Sequence, residues 1–216
     1  MDNDRLRDSV SRWGLIRLCY GRLMTLVRPW FMLARINTRP LGIHGGSVEP
    51  GKFTSPRIAN REELQKASEE MPVALSQEFV VAALARGDIC IAAFSGTKMV
   101  SFVWRSYGRA PHVDGLWVAF EKPYRYGYKA YTRPEYRGQH AMDPTLTDRI
   151  CIERGRRYAL GFVESHNFSS IQRSRRLGNT CVGLAGYVKV FGRAYPFRSP
   201  GAKKHTFEFY RPMKRI

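Results

Sequence analysis

Two short segments about thirty residues apart hold the residue types of this chain best suited to chemistry. In the first, Arg133-Pro134-Glu135-Tyr136-Arg137-Gly138-Gln139-His140, a basic loop with one glycine leads into a helix-compatible run from Ala141. In the second, Glu164-Ser165-His166-Asn167-Phe168-Ser169-Ser170, a carboxylate, an imidazole, a carboxamide and hydroxyls precede another such run. A helix start presents unpaired N–H groups and the positive end of the helix dipole, so both junctions suit a phosphate or another anion. Asn167 has a plain structural use as well, as a helix N-cap.

Strands and helices must hold these loops. Asn60 to Glu70 reads as a helix whose Asn60 and Glu63 form a capping-box pattern, and Ser76 to Arg86 as a second helix ending at Gly87. Ile89 to Phe94, the turn Ser95-Gly96-Thr97-Lys98 and Met99 to Ser106 make a hairpin. Leu116 to Phe120 and Tyr124 to Thr132 are further strands, the latter with Tyr124, Tyr126 and Tyr128 on one face until Pro134 stops it. A helix over Ala141 to Arg154, loosened in its first turn by Pro144, leads to a buried strand, Arg157 to Val163. Phe168 to Leu177 is a helix closed by Gly178, and Thr180 to Phe191 and Thr206 to Arg211 are the last strands. The basic stretch Arg198 to Lys204 reads as a loop that either binds an acidic group or joins two strands.

At 216 residues with 44% apolar and 12% aromatic content, the chain suits one well-buried domain plus an appendage. Residues 1–38 read as a basic, aromatic-rich helical segment kinked at Pro29, and residues 39–216 as the domain proper. Arg17, Arg22, Arg28 and Arg35 interrupt the apolar run from Trp13 to Ile36, so it is not a spanning helix. Two readings of it stand level: residues 1–36 contact an anionic membrane surface, or they pack on the domain or on a second subunit of a homodimer. Lys plus Arg outnumber Asp plus Glu by 36 to 18, a net charge of +18, which favours an anionic lipid, an acidic carrier protein or a phosphorylated cofactor. Nucleic acid is disfavoured, because finger spacing, an aromatic ribonucleoprotein motif and a Lys-rich tail are all missing. Cys19, Cys90, Cys151 and Cys181 lack CxxC pairing and sit in apolar stretches, as buried reduced thiols of a cytoplasmic protein would. No metal is expected, since His44, His112, His140, His166 and His205 show no ligand spacing.

The order of elements, with Arg137-Gly138 and Asn167 at the two junctions, resembles the GNAT superfamily of N-acetyltransferases over roughly residues 60 to 211, best from Tyr124 to Gly178. Pro134-Glu135-Tyr136-Arg137-Gly138 closely follows that family's sequence at the end of its fourth strand, and Asn167, Ser170 and Gly178 match its second signature in register. The resemblance implies an α+β fold, a mixed twisted sheet of six to seven strands flanked by about four helices. It also implies transfer of an acyl group, acetyl or longer, from a CoA thioester to a primary amine by direct attack. Arg137, Gly138, Gln139, His140 and Ala141 would hold the acyl-CoA pyrophosphate. Asn167 and Ser170 would hold the pantetheine arm, and the strand amides of Tyr131, Thr132 and Arg133 the thioester. Departures are His140 and Met142 where the family has small residues, and Ser174 where many members have the proton-donating Tyr. With a serine there, Ser174 would orient a water, and Glu164, ahead of His166 and Glu121, would act as base. The aromatic set Trp104, Tyr107, Trp117, Phe120, Tyr124, Tyr126 and Tyr128 either lines the acceptor side or packs the core. The acceptor would be a small-molecule or peptide amine. Two variants keep the fold: an acyl carrier protein as long-chain donor at a membrane surface, and a non-catalytic binding module.

Overall fold

Burial with a period of two decides where the chain leaves its first helix. The structure, a computed structural model, describes residues 14–42, 56–113, 115–139, 141, 142 and 144–212. In chain order its helices are α1 (Leu15–Val27), α2 (Arg61–Glu70), α3 (Gln77–Ala85), α4 (Pro144–Glu153), α5 (Phe168–Arg176) and α6 (Pro200–Lys204), with a 3-10 turn at Pro134–Tyr136. Its strands are β1 (Phe31–Pro40), β2 (Arg57–Ile58), β3 (Ile89–Ser95), β4 (Lys98–Ser106), β5 (Arg109–Pro111), β6 (Trp117–Ala119), β7 (Tyr124–Thr132), β8 (Tyr158–Glu164), β9 (Thr180–Val190), β10 (Arg193–Arg198) and β11 (Glu208–Tyr210). The class is α+β with a mixed, mostly antiparallel sheet, as expected. That sheet counts eight strands among the described residues where six or seven were expected.

The described chain divides into two compact units. The hairpin unit takes residues 38–111 and 119–161, the terminal unit 1–37, 112–118 and 162–216. Strands β1 and β8 have residues in both.

In the hairpin unit β2, β3, β4 and β7 pair antiparallel in that order, and β8 joins β7 in parallel. Strand β3 is buried on both faces, so its sequence is an apolar run without alternation. Cys90, Ala92 and Phe94 face a core shared with Leu64, Leu75, Phe102 and Trp104; Ile89 and Ile91 face Leu41, Val103, Cys151 and Ala159. The capping box forms at α2: Glu63 N–H donates to Asn60 Oδ1 at 2.8 Å, and Asn60 N–H to Glu63 Oε2 at 2.9 Å. Cys90 and Cys151 are buried as expected, but Cys19 and Cys181 are exposed.

In the terminal unit the order is β10, β9, β1, β8. Phe31 to Ile36, expected as helix, begin β1, because Met32, Ala34 and Ile36 are buried at every second position while the residues between them are half-buried. Pro29 therefore ends a helix instead of kinking one. Arg193 to Arg198, assigned to no element from sequence, form β10, and Pro200 to Lys204, expected as loop, form α6. The β9–β10 hairpin turns on two residues, Phe191 and Gly192, with φ of 47° and 73°. That left-handed pair has the backbone of a tight hairpin turn, but Phe in its first position hides the usual Asn-Gly or Asp-Gly signal. Gly186 lies so near the Met32 carbonyl that a side chain there would collide with it.

Asp148 on α4 is fully buried and joins three parts of the hairpin unit. It accepts from Arg39 Nη1 at 2.6 Å and Gly42 N–H at 3.2 Å through one oxygen, and from Arg125 Nη2 at 2.9 Å through the other. Burial pushes its carboxyl up, but Arg125 and Arg39 more than offset this and hold its pKa below the ordinary value. A depressed folded-state pKa stabilises above the unfolded value, and the contribution is lost as pH falls through the folded pKa. Asp148→Asn should therefore lower the unfolding free energy by about 3–5 kcal/mol at neutral pH. In urea titrations at falling pH, the deficit relative to wild type should narrow only below pH about 4.

Candidate functional site

Strand β7 changes character along its length. Its first residues pair in parallel with β8, from Tyr124↔Tyr158 to Tyr126↔Leu160, and this register stops there although β7 runs on to Thr132. Against β4, Trp104 lies opposite Tyr128 but Phe102 opposite Tyr131, so β7 holds one more residue than its partner in that interval. Lys129 within it has φ of 45°. The extra residue and left-handed backbone are those of a β-bulge, which bends the strand and re-aims the residues beyond it.

Beyond the bulge the hydrogen bonds sort the expected residues. Arg133 donates its N–H to the Val100 carbonyl at 2.9 Å, its Nε to the Met99 carbonyl at 2.8 Å, and its guanidinium pairs with Glu70. The Arg133 amide is thus engaged with β4 and cannot also meet a thioester, which corrects the expectation for it. The alternation of an antiparallel ladder then turns the Tyr131 amide toward β4 and the Thr132 amide away. Ser101 Oγ donates to the Tyr131 carbonyl at 3.0 Å and lies 2.8 Å from Thr132 Oγ1, holding this stretch in place.

In the loop, Arg137 N–H is engaged with the Pro134 carbonyl at 3.2 Å, and its Nε reaches the Thr132 carbonyl at 3.3 Å. Gly138 adopts φ of 76°, and the place its Cβ would fill is open space. Among the described residues, neither Gly138 nor Gln139 has its N–H in a hydrogen bond, while Gln139 Nε2 donates to the Glu135 carbonyl at 2.8 Å. Ala141 is buried against Ala93 and Val100, and α4 starts later, at Pro144. His140 lies outside the described residues.

In the terminal unit the end of β8 gathers a second polar group. Glu164 Oε1 accepts from Arg28 Nη2 at 3.1 Å, and its Oε2 is 3.6 Å from His166 Nε2. His166 Nδ1 is buried without a partner among the described residues. Ser165 Oγ lies 2.6 Å from the Tyr20 hydroxyl. Asn167 caps α5, its Oδ1 accepting from Ser170 N–H at 3.1 Å and Ser169 Oγ at 3.0 Å, while its Nδ2 donates to no described residue. Glu164 and His166 are thus brought together. Ser174 is not with them: it sits two turns along α5, about 10 Å by helix rise, where its carbonyl accepts from the Asn179 backbone N–H at 3.1 Å and side-chain Nδ2 at 3.0 Å. Glu121 belongs to the hairpin unit, in the exposed turn before β7. Of the aromatic set, Trp104, Phe120 and Tyr126 are buried core.

Arg28 and Tyr20, which hold Glu164 and Ser165, escaped sequence reasoning. Both come from the α1 region, which the sequence left either at a membrane surface or packed on the domain or a second subunit. A groove of about 580 Å³ opens between α1 and the start of α5, lined by Arg17, Leu18, Gly21, Leu26, His166 and Phe168 among others.

No family model matches the chain, and no curated protein does. Among solved structures it is similar to a GCN5-related N-acetyltransferase from Kribbella flavida, at 14% identity and TM-score 0.47 over 84% of this chain and 64% of that one. It is also similar to an acetyltransferase from the GNAT family of Colwellia psychrerythraea, at 13% identity and TM-score 0.44 over 88% of this chain and 62% of that one. A GNAT-family protein of Novosphingobium aromaticivorans shares 11% identity at TM-score 0.42, over 70% of this chain and 60% of that one. The similarity to these three concerns backbone alone, and the chain spans less than two thirds of the length of each.

The two ends of the Asn167 carboxamide separate by substitution. Asn167→Ala should cost about 0.5–2 kcal/mol in urea unfolding by removing the α5 cap, whereas Asn167→Asp keeps the acceptor and should leave stability near wild type.

Proposed function

We propose that this protein is an acyl-CoA-dependent N-acyltransferase that moves an acyl group from a CoA thioester to a primary amine by direct attack. The observation that carries the reading is the release of β7 from its parallel partner after Tyr126, together with the Lys129 bulge and a loop with two unengaged amides at Gly138 and Gln139. A strand edge with an amide turned outward at Thr132 suits a thioester carbonyl, whose oxygen gains charge as the amine adds. The Gly138 and Gln139 amides, beside the Arg137 side chain, suit a pyrophosphate, and the open space at Gly138 lets it approach the backbone.

Asn167 Nδ2 serves the pantetheine amides, with Ser170 leaving room beside it. Glu164 and His166 take the proton of the attacking amine, the carboxylate lying 3.6 Å from the imidazole Nε2. Ser174 has no part in this scheme. The exposed Arg173, Arg175 and Arg176 in the last turn of α5 favour a second form of the donor, the same thioester carried on an acidic carrier protein.

Calorimetric titration with acetyl-CoA and longer acyl-CoA esters tests the reading. Micromolar binding is expected, abolished by Gly138→Asp and weakened by Asn167→Asp, which retains the helix cap. Folded protein that binds no CoA ester, free or on a carrier, would sink the proposal. With an amine acceptor in hand, His166→Ala should lower kcat by about 10²–10⁴ while leaving the KM for acyl-CoA nearly unchanged. Binding without turnover in wild type would instead make the protein a binding module.

A further inference from the structure

Helix α1 is unusual for a helix in a folded unit, because of its thirteen residues only Met24 is buried. Its apolar side chains face outward: Leu15, Ile16, Leu23 and Leu26 are between 57% and 86% exposed, and Trp30 just beyond it is 63% exposed. Arg17, Arg22 and Arg28 interleave with them. Long aliphatic residues with arginines whose stems lie along them, and a Trp at the end, suit the boundary between acyl chains and phosphate headgroups. The helix is far too short to cross a bilayer, and no described helix is long and apolar enough to do so.

The groove beneath this helix adds a second observation. Leu18, Leu26 and Phe168 give it apolar walls, and Arg17 and Arg22 line it as well. The nearby Glu164 is engaged by Arg28. The Arg17 guanidinium lies 5.7 Å over the Phe168 ring, which fixes one cation at the groove. Gly21 faces it from mid-helix, where glycine costs roughly 1 kcal/mol relative to alanine, and its missing side chain meets nothing within 4 Å. The glycine keeps the groove open.

We infer that the groove between α1 and α5 binds one acyl chain of an anionic lipid presented at a bilayer surface, with α1 lying on that surface. The chain lies along Leu18, Gly21, Leu26 and Phe168, and its phosphate meets Arg17. The inference rests on α1 and α5 alone and stands whether or not the chain transfers acyl groups.

The test uses the full chain, vesicles and a photoactivatable lipid. Wild type should co-sediment with phosphatidylcholine vesicles containing phosphatidylglycerol, should not do so with phosphatidylcholine alone, and should release as salt rises. Gly21→Leu fills the groove, improves helix propensity and leaves every charge in place, so a folded variant is expected by circular dichroism. Its affinity for the anionic vesicles should fall about tenfold. Phosphatidylglycerol with a diazirine in its acyl chain should label Leu18, Leu26 or Phe168 in wild type and lose that labelling in Gly21→Leu. Equal binding by wild type and Gly21→Leu, labelling confined to Leu15, Ile16 and Leu23, or no preference for the anionic vesicles would each overturn the inference. A protein that binds vesicles but no CoA ester would keep this inference and remove the acyltransferase reading, so the two fail separately.

Discussion

Asp148 is the one carboxylate on which the buried charge of the hairpin unit turns. Its oxygens take hydrogen bonds from Arg39 at the end of β1, Arg125 at the start of β7 and the Gly42 backbone, so helix, strand and incoming chain are fastened at one point. Nearby, Arg105 on β4 is also buried. Burial and the neighbouring Arg125 depress its pKa to about 9. Its guanidinium occupies the space a side chain at position 127 would need, which is why β7 has a glycine opposite it. Charges in such a place repay their desolvation only when geometry is tight. Around Arg125, Tyr124 to Tyr126 pair with β8 in the parallel register.

The fixed start of β7 governs the remainder of the strand. With that start held, the extra residue at Lys129 cannot be absorbed by sliding, because a slip of one position would turn every side chain to the wrong face. It emerges as a local bend. The bend and the end of pairing with β8 leave an outward strand edge near Thr132, and the loop beyond it carries the open amides of Gly138 and Gln139. Rigidity at one end and release at the other are thus one device. In the terminal unit, by contrast, few side chains of α1 are anchored: Met24 is buried, and Tyr20 and Arg28 reach the end of β8. Those contacts orient Glu164 and leave the remainder of the helix as surface.

The mixed α+β class, the capping box at Asn60, the β3–β4 hairpin, the span of β7 and the Asn167 cap were all legible in the residues, because each depends on neighbours within a few positions. The Asn60–Glu63 exchange needs only a three-residue spacing, and the β3–β4 turn only Ser95 to Lys98. Where a local signal was atypical the reading failed, as at Phe191-Gly192, whose turn hid β10, and at Phe31 to Ile36, where Arg35 and the preceding helix masked a strand. Local residue patterns thus settled most of the elements and their order. Which amides are unengaged, that Arg28 and Tyr20 hold Glu164 and Ser165, that Ser174 stands apart from His166, and that α1 faces outward emerged only from the packed fold. Hydrogen bonds and burial between residues more than a hundred positions apart leave no periodicity in the chain, so they come into being only when the strands pair.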